Sequence, residues 1–336
     1  MRTVLLALLA CLLLTSAADA GPARTHADPG CYDGWAFTEP GLSKFKSIAI
    51  AGAHATDEWI VAPKAAPPAG RRYPGAVLLH GGGGNKCTLW WLARFLAGRG
   101  YISVVLTYKD QTTGVQASRT ALKWLTPTKQ GFRKYLAKND NALIGYSLGA
   151  HVAVEVQQHP TRLHLRTIVA IDALRRYVKN DYSAATTCNA APSGQVKPVV
   201  PALGLGSETG CWPDPPAHPS EDKLAGFKWW KRFRVPAMQA TLANANHGDF
   251  SGEIHQGDFG HERQIHNSGY YIVSWLGVFL RANKSLYADL VDQTPGMNAP
   301  PITDVLTGKP GYGSAAFLPA DGGWPGKTCA DLRNCP

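Results

Sequence analysis

An α/β fold, with a mostly parallel central sheet and helices on both faces, is predicted by three observations. Apolar runs of strand length alternate with helix-compatible segments from Trp59 to Leu280. A sharp strand–turn–helix pattern surrounds Ser147. A run of four glycines, Gly81 to Gly84, follows the apolar stretch Ala76 to Leu79. No internal repeat points to a solenoid or propeller.

Taken in order, residues 21–46 read as an irregular N-terminal arm. Trp59-Ile60-Val61 and Ala76 to Leu79 read as strands separated by the Pro/Gly-rich loop Pro63 to Gly75. Leu89 to Leu96 has helical character, and Tyr101 to Tyr108 is a buried strand. Residues 114–137 read as mostly helical, broken near Pro127. A strand at 142–146, a helix at 148–158 and a strand at 167–171 follow. Residues 173–198 and 209–235 look like insertions. Val199 to Leu205 and Ala237 to Leu242 are the last expected strands, and Ile272 to Leu280 is an apolar helix. The Pro/Gly-rich tail from Thr294 is expected to be loop.

Gly145-Tyr146-Ser147-Leu148-Gly149 fits G-x-S-x-G, with apolar Ala142-Leu143-Ile144 before it and a helix-compatible run after it. Small residues flank the serine because its backbone is strained at the apex of such a turn. A hydroxyl held there stands clear of the chain and can attack a carbonyl. That attack creates an oxyanion, which preorganised backbone N–H groups must meet. The amides of Gly82 and Leu148 are the expected donors. No Gly-Lys-Ser/Thr follows the glycines, so a phosphate-binding loop is disfavoured. His80 is expected to be structural, packed beneath the glycine loop.

These two motifs, in this order, resemble those of the α/β-hydrolase family. Within it the likeness is to the platelet-activating-factor acetylhydrolase, chlorophyllase and cutinase-like polyester hydrolase groups. The resemblance implies the α/β-hydrolase fold and hydrolysis of carboxylic esters by Ser147, without a cofactor. The base should follow the last strand, because the chain order in this family is Ser, Asp or Glu, His. His218, His247, His255, His261 and His266 are the candidates. His247 is favoured, since it lies just beyond Ala237 to Leu242 and its His-x-Asp-Phe pattern is similar to the base loop of chlorophyllases. His261 is its main rival. For the acid, Asp172 closes a strand at the site where the acetylhydrolase and chlorophyllase groups place theirs. Glu208, after the next strand, is the alternative. Acyl transfer or peptide cleavage would use the same residues, and a non-catalytic binding protein on this scaffold is a further reading.

The run from His247 to His266 holds several His, Asp and Glu residues. It lacks a standard ligand spacing such as H-E-x-x-H, so no metal is expected. Trp90, Trp91, Trp212, Trp229 and Trp230 are candidates to line an apolar acyl pocket.

Arg2, the apolar run Val4 to Leu14 and Ala18-x-Ala20 read as a signal peptide over residues 1–20, implying a secreted or periplasmic protein. Residues 21–336 then form one domain. Six cysteines remain beyond the leader, an even number that fits disulfides in an oxidising compartment. Spacing pairs Cys329 with Cys335 and Cys188 with Cys211, which leaves Cys31 with Cys87. The net charge of +10 favours anionic surfaces or acidic substrates. The cations are scattered, with no basic stripe interleaved with aromatics, so nucleic-acid binding is not expected. The expected partner is a small-molecule or polymeric ester.

Overall fold

The computed structural model describes residues 29–32, 35–50, 52, 54–172, 174, 196–208, 219–253, 259–291, 306, 314–318 and 327–329. The expected leader, Cys188, Cys211, Cys335, His218, His255 and Trp212 lie outside the described residues, as does most of the expected insertion at 173–198.

The strands are β1 (Ser43–Ser47), β2 (Asp57–Pro63), β3 (Tyr73–Leu79), β4 (Ile102–Thr107), β5 (Leu136–Tyr146), β6 (Leu165–Ile171), β7 (Ala202–Ser207), β8 (Ala237–Leu242), β9 (Ala315–Leu318) and β10 (Lys327–Cys329). They form one sheet in the order β1-β2-β4-β3-β5-β6-β7-β8-β9-β10. From β4 to β8 every neighbouring pair is parallel. Antiparallel pairs extend the sheet at both ends.

The described helices are α1 (Trp90–Gly98), α2 (Gln111–Trp124), α3 (Leu148–Val156), α4 (Pro160–Leu163), α5 (Pro219–Arg232), α6 (Phe259–Arg281) and α7 (Leu286–Val291). Parallel strands need crossovers, and these helices supply them on both faces. The alternation of side chains along each strand sorts the core into two layers. Ala76, Leu78, Ile144 and Val169 face α1, α6 and α7. Val77, Leu79, Leu143 and Ile168 face α2, α3 and α5. Strands buried on both faces read as continuous apolar runs, which is why the central ones were legible.

Several expectations are corrected at the edges. The N-terminal arm contributes edge strand β1. The helix expected to reach 137 ends at Trp124, and β5 begins at Leu136. The tail supplies β9 and β10 where loop was expected. These strands are four and three residues long, too short to show a periodicity. The apolar helix extends back to Phe259, because its first turns carry polar residues that are buried by tertiary contacts. The segment 209–235 contains crossover helix α5. Its Trp229 and Trp230 are buried and donate from Nε1 to the carbonyls of Val196 (3.0 Å) and Val200 (2.9 Å).

Cys31 and Cys87 form the expected disulfide, 56 residues apart in sequence. It fastens the N-terminal arm to the loop that leaves the glycine run. A closed loop of this size restricts the unfolded chain, so Cys31→Ser/Cys87→Ser should cost roughly 2–4 kcal/mol of stability. Denaturant melts of the double variant and wild type would measure this; an unchanged midpoint would contradict it.

Candidate active site

The turn at Ser147 is built from close approaches that only glycine permits. A Cβ on Gly145 would lie 2.0 Å from the Gly149 carbonyl oxygen, and one on Gly149 would lie 2.4 Å from that of Leu79. Helix α3 therefore starts against the end of β3, and the chain must reverse within one residue. Ser147 takes φ 53° and ψ −114°, a region that L side chains rarely occupy. Its amide is anchored on the Ile171 carbonyl at 2.9 Å.

Two loops meet over this serine. The first is Gly81–Gly84, closed by the Gly84 amide donating to the Gly81 carbonyl at 3.2 Å. Gly81 comes so near the Ser147 turn that a Cβ there would sit 3.1 Å from Ser147 Cβ. Gly82 lines the cleft, and Leu148 opens α3, where an amide has no acceptor within the helix. His80 is buried beneath the loop, as expected. Its Nε2 accepts the Tyr108 amide at 3.1 Å, so Nδ1 carries the proton and donates to the Gly81 carbonyl at 2.5 Å. The Tyr108 ring stacks on it at 4.1 Å.

The second loop follows β8. Asn246 Oδ1 accepts the Gly248 amide at 2.8 Å, and Asp249 Oδ2 accepts the Asn246 amide at 2.8 Å. This reciprocal capping fixes the short 3-10 turn His247–Phe250. The His247 ring then lies with Nε2 3.1 Å from Ser147 Oγ and Nδ1 2.6 Å from Asp172 Oδ2. The Asp172 side chain is fully buried, whereas His247 keeps 23 % of its side chain exposed. Asp172 also accepts the Ser207 amide (3.1 Å) and hydroxyl (3.0 Å). A buried carboxylate is tolerated when its oxygens are met in this way.

Of the sequence candidates, Ser147, His247 and Asp172 come together. Glu208 is buried, and its Oε2 accepts the Asn244 amide, so it braces the turn that leads to His247. His261 lies on α6 and is buried. It contacts Asp249 Oδ1 at 3.4 Å and the Ser251 carbonyl at 3.1 Å, and supports the His247 loop from behind. Among the described residues no group of three or more His, Cys, Asp or Glu could hold a metal. Trp90, Trp91, Trp229 and Trp230 are core residues and do not line the cleft. Their size and apolar surface are needed between helix and sheet, a demand the sequence pattern does not separate from pocket lining.

Tyr146, Ser207 and Glu253 were not singled out by sequence. Tyr146 stacks on His247 at 5.0 Å and donates from its hydroxyl to the His247 carbonyl at 2.8 Å. Burial, with the Asp172 and Asp249 carboxylates nearby, pushes its pKa far up, so the hydroxyl stays a donor. Glu253 accepts from Asn85 Nδ2 (2.8 Å) and Thr88 Oγ1 (2.7 Å), and the Gly252 amide reaches the Thr88 carbonyl at 2.9 Å. These contacts fasten the second loop to the chain just beyond the first. The cleft between them is about 510 Å³ and opens on Gly82, Ser147, Asn246, His247 and Glu253.

No family model matches this chain, and no curated protein matches it. The site therefore speaks through its chemistry alone. A hydroxyl, an imidazole and a buried carboxylate in hydrogen-bonded series can move a proton off the hydroxyl while stabilising the imidazolium that results.

Two histidines tie stability to pH. Burial lowers the pKa of His80 from its ordinary 6.5, against smaller opposing contributions from the Gly81 carbonyl and Glu253. Burial, then Arg99, lowers that of His266. Protons bind the unfolded chain more readily at both, so their stabilising contribution is present above the unfolded value and lost as pH falls through the folded one. The urea midpoint should fall between about pH 7.5 and about pH 5.5, and His266→Phe should reduce the fall. A midpoint independent of pH would contradict this.

Proposed function

We propose that this chain is an exported serine hydrolase of the α/β-hydrolase fold, cleaving carboxylic esters through an acyl-enzyme. The observation that carries the reading is the series Ser147 Oγ–His247 Nε2 (3.1 Å) and His247 Nδ1–Asp172 Oδ2 (2.6 Å) beside a glycine loop. The order Ser, Asp, His and the strained serine between β5 and α3 support the fold assignment. The Cys31–Cys87 disulfide fits an oxidising compartment. Among the described residues no helix is long and apolar enough to cross a membrane.

In this mechanism Ser147 Oγ attacks the ester carbonyl carbon and passes its proton to His247 Nε2. The carbonyl oxygen becomes an oxyanion held by the amides of Gly82 and Leu148. The tetrahedral intermediate collapses, and the imidazolium returns the proton to the departing alkoxide. Water then attacks the acyl-Ser147 with His247 again as base, and the acid leaves. Asp172 keeps Nδ1 protonated and stabilises the imidazolium, while Ser207 holds Asp172 in place.

A fluorophosphonate probe should label wild type at Ser147, and p-nitrophenyl esters should be turned over. Ser147→Ala should abolish labelling and lower turnover by several orders of magnitude with the fold intact. Wild-type turnover in the purified variant would refute the assignment.

Asp172→Asn preserves shape but removes the charge behind His247, so kcat should fall on the order of a thousandfold or more. Glu208→Gln keeps an acceptor for the Asn244 amide and should cost at most about tenfold. Steady-state kinetics of both variants decide which carboxylate serves the base; the reverse ranking would reassign it to Glu208.

A further inference from the structure

We propose that a basic groove at the far end of the sheet from Ser147 binds an acidic polysaccharide and anchors the protein to it. The groove is about 550 Å³ and lies between β1, β2, the last residue of α2 and the connection to β5. Its floor is Ile48 and Ile60, and its walls carry Lys44, Lys46, Arg133 and Lys134. Ser147 follows the C-terminal end of β5, whereas residues 128–135 precede its N-terminal end. The groove is thus separate from the catalytic cleft.

Its charge is one-sided. From Trp59 to Asn139 the chain holds thirteen Lys and Arg but a single acidic residue, Asp110. Asp110 caps the start of α2, at the opposite end of that helix from the groove residue Trp124. No lining residue is acidic. The acidic residues on the adjoining strands are engaged elsewhere: Glu58 is buried and accepts the Ile50 amide at 2.5 Å, Asp57 pairs with Lys86, and Asp140 pairs with Arg166 at 3.5 Å. The cations are scattered in sequence, and the fold gathers them.

Three of them are held in place. Lys44 lies over the Phe132 ring (5.2 Å), Arg133 over Trp124 (4.8 Å) and Lys134 over Tyr135 (4.7 Å). Arg133 spends Nε and Nη2 donors on Thr126 at 3.1 Å each, which leaves others of its five N–H groups for a ligand. Ordering these side chains beforehand reduces the entropy that a ligand must overcome.

The occupant is chosen by what the groove does not offer. All three rings pack against the core as well as beneath a cation. A stacking base, the main attraction for single-stranded nucleic acid, would have to displace these cations from the rings. Lys44, Lys46 and Ile48 present one face of β1 to the groove and not its open edge, so the groove offers a peptide backbone no ladder to pair with. A bilayer surface does not enter a concavity. A carboxylated or sulfated glycan has regularly spaced anions, and its hydroxyls remain solvated in an open groove.

Isothermal titration of the full chain at low ionic strength tests this, with polygalacturonate, dextran, single-stranded DNA, poly-glutamate and anionic vesicles as probes. Polygalacturonate should bind, and added salt should weaken it. Neutral dextran should not bind, and the other three should bind at least tenfold more weakly. Lys44→Gln/Lys46→Gln/Lys134→Gln should lower polygalacturonate affinity at least tenfold. The charge-matched Lys109→Gln/Lys228→Gln/Lys231→Gln should change it less than threefold. Equal losses in the two triple variants would mean only net charge matters, and tighter binding of DNA, poly-glutamate or vesicles would mean the wrong class; either overturns the proposal. Should the groove variant misfold, lysine acetylation of wild type decides: polygalacturonate must shield Lys44, Lys46 and Lys134, and unchanged acetylation there refutes the site.

Discussion

The close approach of α3 to the end of β3 is the constraint on which the rest of the site depends. Gly149 sits so near the Leu79 carbonyl that no side chain fits between them. The helix can begin there only if the preceding residue reverses the chain, and Ser147 does so at positive φ. Such a conformation costs on the order of 1–3 kcal/mol. The burial of β5 and α3 on both sides offsets it, since a single fully buried leucine or valine contributes roughly 1.5–3 kcal/mol. The strain thus falls on the residue whose hydroxyl projects, and Asp172 beside it shares the positive φ at 41°.

A projecting hydroxyl is useful only if its partners are equally well placed, and here each is held from two directions. His247 is fixed in front by Asp172, beneath by the Tyr146 ring and through its own carbonyl by the Tyr146 hydroxyl. Asp172 is itself fixed by Ser207. The loop carrying His247 is fastened by Glu253 to Asn85 and Thr88, by Trp91 Nε1 to the Phe250 carbonyl at 3.2 Å, and by His261 from behind. The Cys31–Cys87 bond adds a covalent tie within the segment that Glu253 grips. In the proposed hydrolysis, positioning of this kind would remove the need to order the three groups during the reaction.

The two faces of the sheet's chemistry are separated by strand polarity. In the parallel block all C-terminal ends point one way, and the loops that follow them hold the serine, the carboxylate and the imidazole. The opposite end gathers Lys44, Lys46, Arg133 and Lys134 around a groove. One fold therefore presents a cleft at Ser147 and a cationic groove without either encroaching on the other.

The sequence by itself determined the central strands, because burial on both faces demands unbroken apolar runs, and it determined the serine turn, because only G-x-S-x-G satisfies that crowding. It also placed His247 just past the last long strand. It left Asp172 and Glu208 as alternatives, since each closes a strand as a carboxylate near the same crevice. The tertiary structure separated them: register brings Asp172 Oδ2 to 2.6 Å from Nδ1, while Glu208 turns to the Asn244 amide. Short edge strands such as β9 and β10 carry too few residues for a pattern and are defined by their neighbours. The cationic groove was equally illegible, because residues 44–46 and 133–134 become adjacent only when β1 folds onto β2 beneath the end of α2. Local pattern encodes what each segment must bury; only the packed sheet decides which distant polar groups meet.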